Sequence, residues 1–297
     1  MIRHLPIMTC RGEGQTRQWF GRAGSVFAGC AAWYALLLLA GLLLGGFAAP
    51  SQTHAGVRRS MPFAPGERFG YDISWAFVHA GRATLEVLPD AEVNGEPARH
   101  FRAEARTSEF VDRFYKVRDV IDSYTDPAVE RTLDYHQVQR EGSYEKDTIL
   151  RMDWPARRLE LYGLQGHKGG LDLPGDVLDS LSILYHFRTH ALFPGREVGG
   201  LVTDGKKIVP GKGVVVGREV VETPLGEFDC FRVEPDTRDV GGVFKKSPDA
   251  RMEVWFTADE RRIPVKVRSK VAVGHFTLEL VDMRMAPASA PGVLAGD

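Results

Sequence analysis

Cysteine is scarce in this 297-residue chain: Cys10, Cys30 and Cys230 are the only three. The first two lie in or before a hydrophobic leader, so the rest of the chain can form neither an internal disulfide nor a cysteine-rich metal site. Cys230 falls in Phe228-Asp229-Cys230-Phe231-Arg232-Val233, an apolar strand-like stretch. It reads there as a small buried hydrophobe, because no local positive niche would activate a thiolate. Net charge is equally scarce, with 38 Lys and Arg against 39 Asp and Glu, a balance of -1. No global field exists to recruit nucleic acid, and a nucleic-acid partner is not expected.

Catalytic signatures are also lacking. The chain holds no His-Glu-x-x-His, no Gly-x-Ser-x-Gly and no phosphate-cradling glycine loop ending in Lys-Ser or Lys-Thr. Ser143-Tyr144-Glu145-Lys146 matches a Ser-x-x-Lys string, but it sits in a strand or hairpin and not at the head of a helix. His186 and His190 alone have an i, i+4 ligand spacing, and no carboxylate stands near them in sequence. They read as helix-end residues, since a transition-metal site needs further ligands. No catalytic residue, metal or cofactor is therefore expected.

What the chain does have is one long apolar run, Val26 to Phe47, free of charge. Arg3, Arg11, Arg17 and Arg22 precede it, opposed only by Glu13. Export machinery and the positive-inside rule both read that pattern, which places the remainder outside the cytoplasm, in a periplasm-like compartment. The run is long enough for a spanning helix, whereas a cleavable signal has a shorter core. Small residues at Gly46-Phe47-Ala48 and Thr53-His54-Ala55 offer cleavage points. A secreted form and a form anchored to the inner membrane through residues 26–47 both stay open. Residues 1–50 are thus a basic leader with a hydrophobic helix, 51–62 a spacer, 63–285 one domain, and 286–297 a proline-punctuated disordered tail.

Period-two alternation dominates the domain. Tyr71-Asp72-Ile73-Ser74-Trp75-Ala76-Phe77, Arg82–Val87 and Phe101–Arg106 each place apolar and polar residues on opposite faces. Further strands are expected at Tyr115–Tyr124, Asp134–Arg140, Thr148–Asp153, Arg158–Tyr162, Lys212–Glu222, Phe228–Val233, Met252–Thr257, Pro264–Val271 and His275–Met283. Turn residues separate them, as in Val93-Asn94-Gly95 and Thr223-Pro224-Leu225-Gly226. The fold expected is mainly β: a curved antiparallel sheet or partly open barrel with one packed α-helix. That helix follows Pro174-Gly175, with Asp176 as cap, Asp179 in the first turn, and Val177, Leu178, Leu181, Leu184 and Tyr185 on its apolar stripe. The glycine-rich Gly163–Gly170 reads as a mobile loop beside it.

Aromatic residues are the best pointer to function. A strongly curved sheet covered by one short helix leaves apolar surface on its concave side, a place for a lipid or another amphipathic molecule. Tyr71, Trp75, Phe77, Leu181, Tyr185 and Trp255 are the candidate ligand-binding residues. Two other readings compete with a carrier. A scaffold would pair its strand edges with an envelope protein partner. A polysaccharide hydrolase would need facing carboxylates, drawn from Asp112, Asp119, Asp122 and Asp179. Asp119 interrupts the alternation of its strand, as an inward-facing polar group would, but with Arg113 and Arg118 nearby it is expected in cross-strand ion pairs on the wet face.

Several segments together resemble the bacterial Domain of Unknown Function 3108 family. They are Phe63-Ala64-Pro65-Gly66-Glu67 with Tyr71, Trp75 and Ala80-Gly81-Arg82-Ala83, then Asp176–Arg188, Thr223–Phe228, Val254–Asp259 and Arg262-Ile263-Pro264-Val265. The likeness runs from about Phe63 to Met285 and departs from the family in the length of the leader. It implies an exported β-rich domain and carries over no catalytic residue. Each motif also has a structural reading: Gly81 permits a tight hairpin, and Pro264 begins a strand, where its missing N–H costs no ladder bond.

Overall fold

The computed structural model describes residues 61–236, 251–271 and 274–286. The expected leader helix, almost all of the spacer and nearly all of the tail lie outside the described residues. No helix among those described is long and apolar enough to cross a membrane.

Fifteen strands form one sheet: β1 (Arg68–Trp75), β2 (Val78–Val93), β3 (Glu96–Thr107), β4 (Arg118–Thr125), β5 (Thr132–Glu141), β6 (Tyr144–Asp153), β7 (Arg158–Gly163), β8 (Gly166–Asp172), β9 (Val177–Leu178), β10 (Glu197–Thr203), β11 (Ile208–Thr223), β12 (Gly226–Pro235), β13 (Arg251–Thr257), β14 (Pro264–Val271) and β15 (Gly274–Arg284). Their spatial order is β8 back through β1, then β15 back through β9. All pairings are antiparallel except the two-residue β9, which runs parallel to β10. Two short helices accompany them among the described residues, α1 (Glu109–Asp112) and α2 (Ser182–Arg188).

The sheet is open, with edges at β8 and β9, but it cannot be flat. Laid out flat at about 4.8 Å per step, its outer strands would stand some 65 Å apart. Only residues 173–176 join β8 to β9, and so short a link spans under about 18 Å. The sheet therefore rolls until its edges nearly meet. Gly205, in the β10–β11 turn, reports the same closure: a Cβ there would stand 2.5 Å from Leu150 of β6 and 3.0 Å from Leu161 of β7.

The interior of the roll is plugged by α2 and the turn before it. Tyr185 stacks on Phe101 at 3.8 Å and packs edge-on against Phe63 at 5.3 Å, while Phe187 stacks on Phe256 at 5.4 Å. The helix begins later than its sequence pattern suggests. Val177 and Leu178 extend as β9, and the Asp179 carboxylate accepts the N–H groups of Leu181 and Ser182 at 2.7 and 2.9 Å. The Asp179 N–H returns a bond to Ser182 Oγ at 2.8 Å, a reciprocal cap that fixes where the helix can start. Ser123 and Thr132 hydroxyls donate to Asp179 Oδ2 at 2.6 and 2.7 Å, tying the plug to β4 and β5.

At the plug's other end Arg188, 1% exposed, meets Glu67, 2% exposed, through bonds of 2.6 and 3.0 Å. The same guanidinium donates to the Arg261 and Pro62 carbonyls and lies 5.0 Å from the Phe63 ring. Three sequence expectations are corrected. The glycine-rich Gly163–Gly170 forms the β7–β8 hairpin and not a loop. The first hairpin turns at Ala76-Phe77, with Trp75 opposite Val78. Gly81 sits within β2, where a Cβ would come 2.1 Å from the Arg106 carbonyl, so it permits a close approach of β3.

Candidate functional site

Strand parity decides which residues line the roll. On β5, buried Tyr135 fixes the inward set, and Gln137, Gln139 and Glu141 follow it at two-residue steps. Across the ladders Gln137 faces Thr148, and Gln139 faces Lys146. On β4 the inward residues are Asp119, Ile121 and Ser123. One row therefore crosses the inner face from Tyr71 through Ala83, Ala105 and Asp119. On β5 and β6, Gln139 and Lys146 lie at the same height. The lining is apolar near α2; at the opposite end of the strands it is polar on β4–β6 and largely apolar on β13, β15 and β1, where Met252, Phe276 and Ile73 are buried, with small alanines between Tyr71 and Asp119.

Asp119 is the centre of this polar end. Val117 bridges Glu141 and Val120 pairs with Val138, but between them the β4–β5 ladder is interrupted. There Asp119 Oδ1 replaces a backbone acceptor and takes the Arg140 N–H at 2.7 Å. Its Oδ2 is buried with no hydrogen-bond partner, as is Thr148 Oγ1. Burial, partly offset by the Arg140 N–H and the Arg140 charge, pushes the Asp119 carboxyl up to about 6. Burial likewise pushes Glu141, which accepts from Gln139 Nε2 at 3.0 Å, up to about 7. The Lys146 ammonium is lowered by burial and by the neighbouring Lys206 charge. Both carboxyls are thus held in their protonated form to higher pH than free ones, beside two glutamine amides.

The six candidate binding residues are dispersed. Tyr71 is buried and donates its hydroxyl to the Pro264 carbonyl at 2.7 Å. Leu181 and Tyr185 are buried in the plug, and the Tyr185 hydroxyl donates to Glu86 O at 3.3 Å. Trp75 is half-buried at the polar end of the lining, stacked on Phe276 at 6.4 Å. Phe77 stands wholly outside at the tip of the first hairpin, because the strand ends at Trp75. Trp255 belongs to the outer face: Val254 and Phe256 point inward, and the indole donates to Glu219 Oε1 at 2.7 Å beneath Arg268.

The four proposed hydrolase carboxylates are not brought together. Asp122, of opposite parity to Asp119, pairs on the outer face with Arg102 and His100. Asp112 pairs with Arg118 beside α1, and Asp179 holds the plug. Asp119 itself points inward, contrary to the ion pair expected on the wet face. Glu141, Gln137, Gln139 and Thr148 were missed by sequence reasoning, although the alternation Tyr135-x-Gln137-x-Gln139-x-Glu141 carries the signal. Cys230 is buried and its thiol is pushed up to about 12, chiefly by burial. His186 donates Nδ1–H to the Val129 carbonyl at 2.7 Å.

An open antiparallel sheet rolled around its own helical plug, polar at one end of the lining, defines a barrel-like β domain. Residues 70–281 match the family described as protein of unknown function DUF3108, and the chain belongs to that family. No curated protein matches the sequence. Among solved structures the chain is similar to a beta-barrel-like DUF1849 protein of Brucella abortus, at 12% identity and a TM-score of 0.47, over 74% of this chain and 97% of that one. It is also similar to a protein with a YmcC-like fold from Bacteroides fragilis, proposed to be exported, at 10% identity and a TM-score of 0.31, over 75% and 98%. A proposed lipoprotein of Parabacteroides distasonis matches at 9% identity and a TM-score of 0.27, over 75% and 98%.

Proposed function

We propose that this domain is a non-enzymatic cell-envelope protein, periplasmic in location, that binds an amphipathic envelope component such as a lipid or glycolipid within the rolled sheet. One observation carries the reading: Asp119, 2% exposed, points into the lining with Oδ2 unpartnered. An unpaired buried carboxyl oxygen costs free energy. A ligand hydroxyl or ammonium group would satisfy it. Gln137, Gln139, Glu141 and Thr148 extend the patch, so a polar head would meet several partners while an acyl portion ran along the apolar lining. The arginine-preceded hydrophobic run supports the location.

Titration of the protein with a long-chain glycolipid, followed by tryptophan fluorescence, tests this through Trp75. Saturable binding weakened at least tenfold by Asp119→Leu is expected. Failure of glycolipid, phospholipid and fatty-acid probes to bind at all refutes the reading. The competing scaffold reading has one specific feature in its favour, the exposed seven-residue edge strand β8.

A further inference from the structure

Six of the eleven large apolar side chains exposed among the described residues, Phe77, Val78, Phe110, Phe114, Tyr144 and Leu164, lie at one end of the sheet; Val138, Phe193, Val216, Val220 and Leu225 lie elsewhere. Antiparallel connectivity puts the β1–β2, β3–β4, β5–β6, β7–β8 and β10–β11 turns at the same end, the one where the lining is polar. Phe77 (102% exposed) tips the first of these turns. Phe110 of α1 and Phe114 in the turn after it (59 and 60% exposed) have ring centroids 5.7 Å apart. Tyr144 and Leu164 continue the line on the next two turns. Aromatic side chains so largely exposed bury little of their apolar area in the domain, and an apolar patch exposed in this way normally has a partner.

We propose that this end of the domain docks on an anionic lipid bilayer, with Phe77, Phe110 and Phe114 entering the interfacial layer. Three observations select a bilayer. Exposed Arg113, Lys116, Lys168, Lys206 and Lys207 ring the aromatics and outnumber exposed Glu109, Glu145 and Asp204, the mixture of greasy tips and basic surround that suits anionic headgroups. The three aromatics come from two separate connections, Phe77 from the β1–β2 turn and Phe110 and Phe114 from the segment between β3 and β4. The tether also reaches: β1 begins at the far end and its eight residues rise about 26 Å, whereas residues 48–60 can span about 45 Å between the hydrophobic run and the domain. The patch borders the polar end of the lining but is built from different residues, so it stands or falls separately from ligand binding inside.

The test uses the full chain with Cys10 and Cys30 replaced by serine and Cys230 left buried. Nitroxide labels are placed at Phe77→Cys, Phe110→Cys and, as a control at the opposite end, Glu130→Cys. Each protein is reconstituted into vesicles of phosphatidylethanolamine, phosphatidylglycerol and cardiolipin. Accessibility to oxygen and to a water-soluble nickel chelate is then read by power saturation. The expected result is oxygen exceeding nickel at 77 and 110, and the reverse at 130, with the contrast reduced in vesicles of phosphatidylcholine alone. Equal, water-like accessibility at all three sites overturns the proposal. So does spin–spin broadening between molecules at position 77 in detergent, which would assign the patch to a second copy of this chain.

Discussion

The buried Arg188–Glu67 pair gives the most quantitative prediction. Glu67→Gln preserves size but leaves the guanidinium, 1% exposed, without a counter-charge. Breaking a buried ion pair from one side costs about 3–5 kcal/mol. Here the Arg261 and Pro62 carbonyls and the faces of Phe63, Phe69 and Tyr185, 5.0 to 5.5 Å away, still support the charge. The loss should therefore fall near the lower figure, a large share of the ~5–15 kcal/mol available to a folded domain. With a urea dependence of about 2 kcal/mol per molar, the unfolding midpoint should drop by roughly 1.5 M. Arg188→Met strands the carboxylate and should cost at least as much. The double variant Glu67→Met with Arg188→Met should be less damaging than the two losses added, because no charge is left buried alone. Urea titration followed by circular dichroism completes the cycle. Strict additivity, or a midpoint for Glu67→Gln within about 0.3 M of the parent, would refute the view that α2 is held by an electrostatic lock.

Other expectations concern single sites. Leu184→Ala should destabilise the domain by about 2–5 kcal/mol in the same assay, since Leu184 is buried in the plug. Asp119 has a carboxyl raised to about 6, so its burial penalty is absent below about pH 4, grows as pH rises towards 6 and is constant above. Asp119→Asn should accordingly gain up to ~3 kcal/mol at pH 8 and nothing at pH 4, at about 1.4 kcal/mol per pKa unit; equal effects at both pH values would count against it. Cys230, buried with its thiol at about 12, should react with a thiol reagent at pH 8 only after denaturation, measured on a form with Cys10 and Cys30 replaced.

Most strands were legible because one wet face and one greasy face impose alternation, and Pro264–Val271 matches β14 residue for residue. Parity failed at Trp255, because Val254-Trp255-Phe256 is apolar throughout and alternation cannot say which side is inner. The start of α2 was misplaced because Val177 and Leu178 fit a helical stripe as well as a short buried strand. Only the tertiary partners Ser123 and Thr132 fix Asp179 as the cap. The glycines of β8 read as a loop since glycine weakens strand propensity locally, while the ladder with β7 overrides it. The charge of Asp119 and the arginines near it favour the wet face, while its break in the alternation fits an inward position; the interrupted β4–β5 ladder decides for the second. The polar lining, by contrast, is written in β5, where Gln137, Gln139 and Glu141 share the parity of buried Tyr135, although polar residues in alternation ordinarily mark a solvated face.

The place of β1 against β15 in the middle of the sheet bears on how the chain is made. Every other antiparallel ladder joins strands adjacent in sequence and can zip as a hairpin once both have emerged. The β1–β15 seam pairs Arg68 with Arg284 and Trp75 with Phe276, so it must wait for β15, the last of the described strands. Until then two meanders exist without their common spine, and Tyr71 lacks the seam that anchors β1 beside its acceptor, Pro264. For the periplasmic location proposed above, this order would suit passage through a narrow channel before folding, because the sheet can be completed only when β15 arrives.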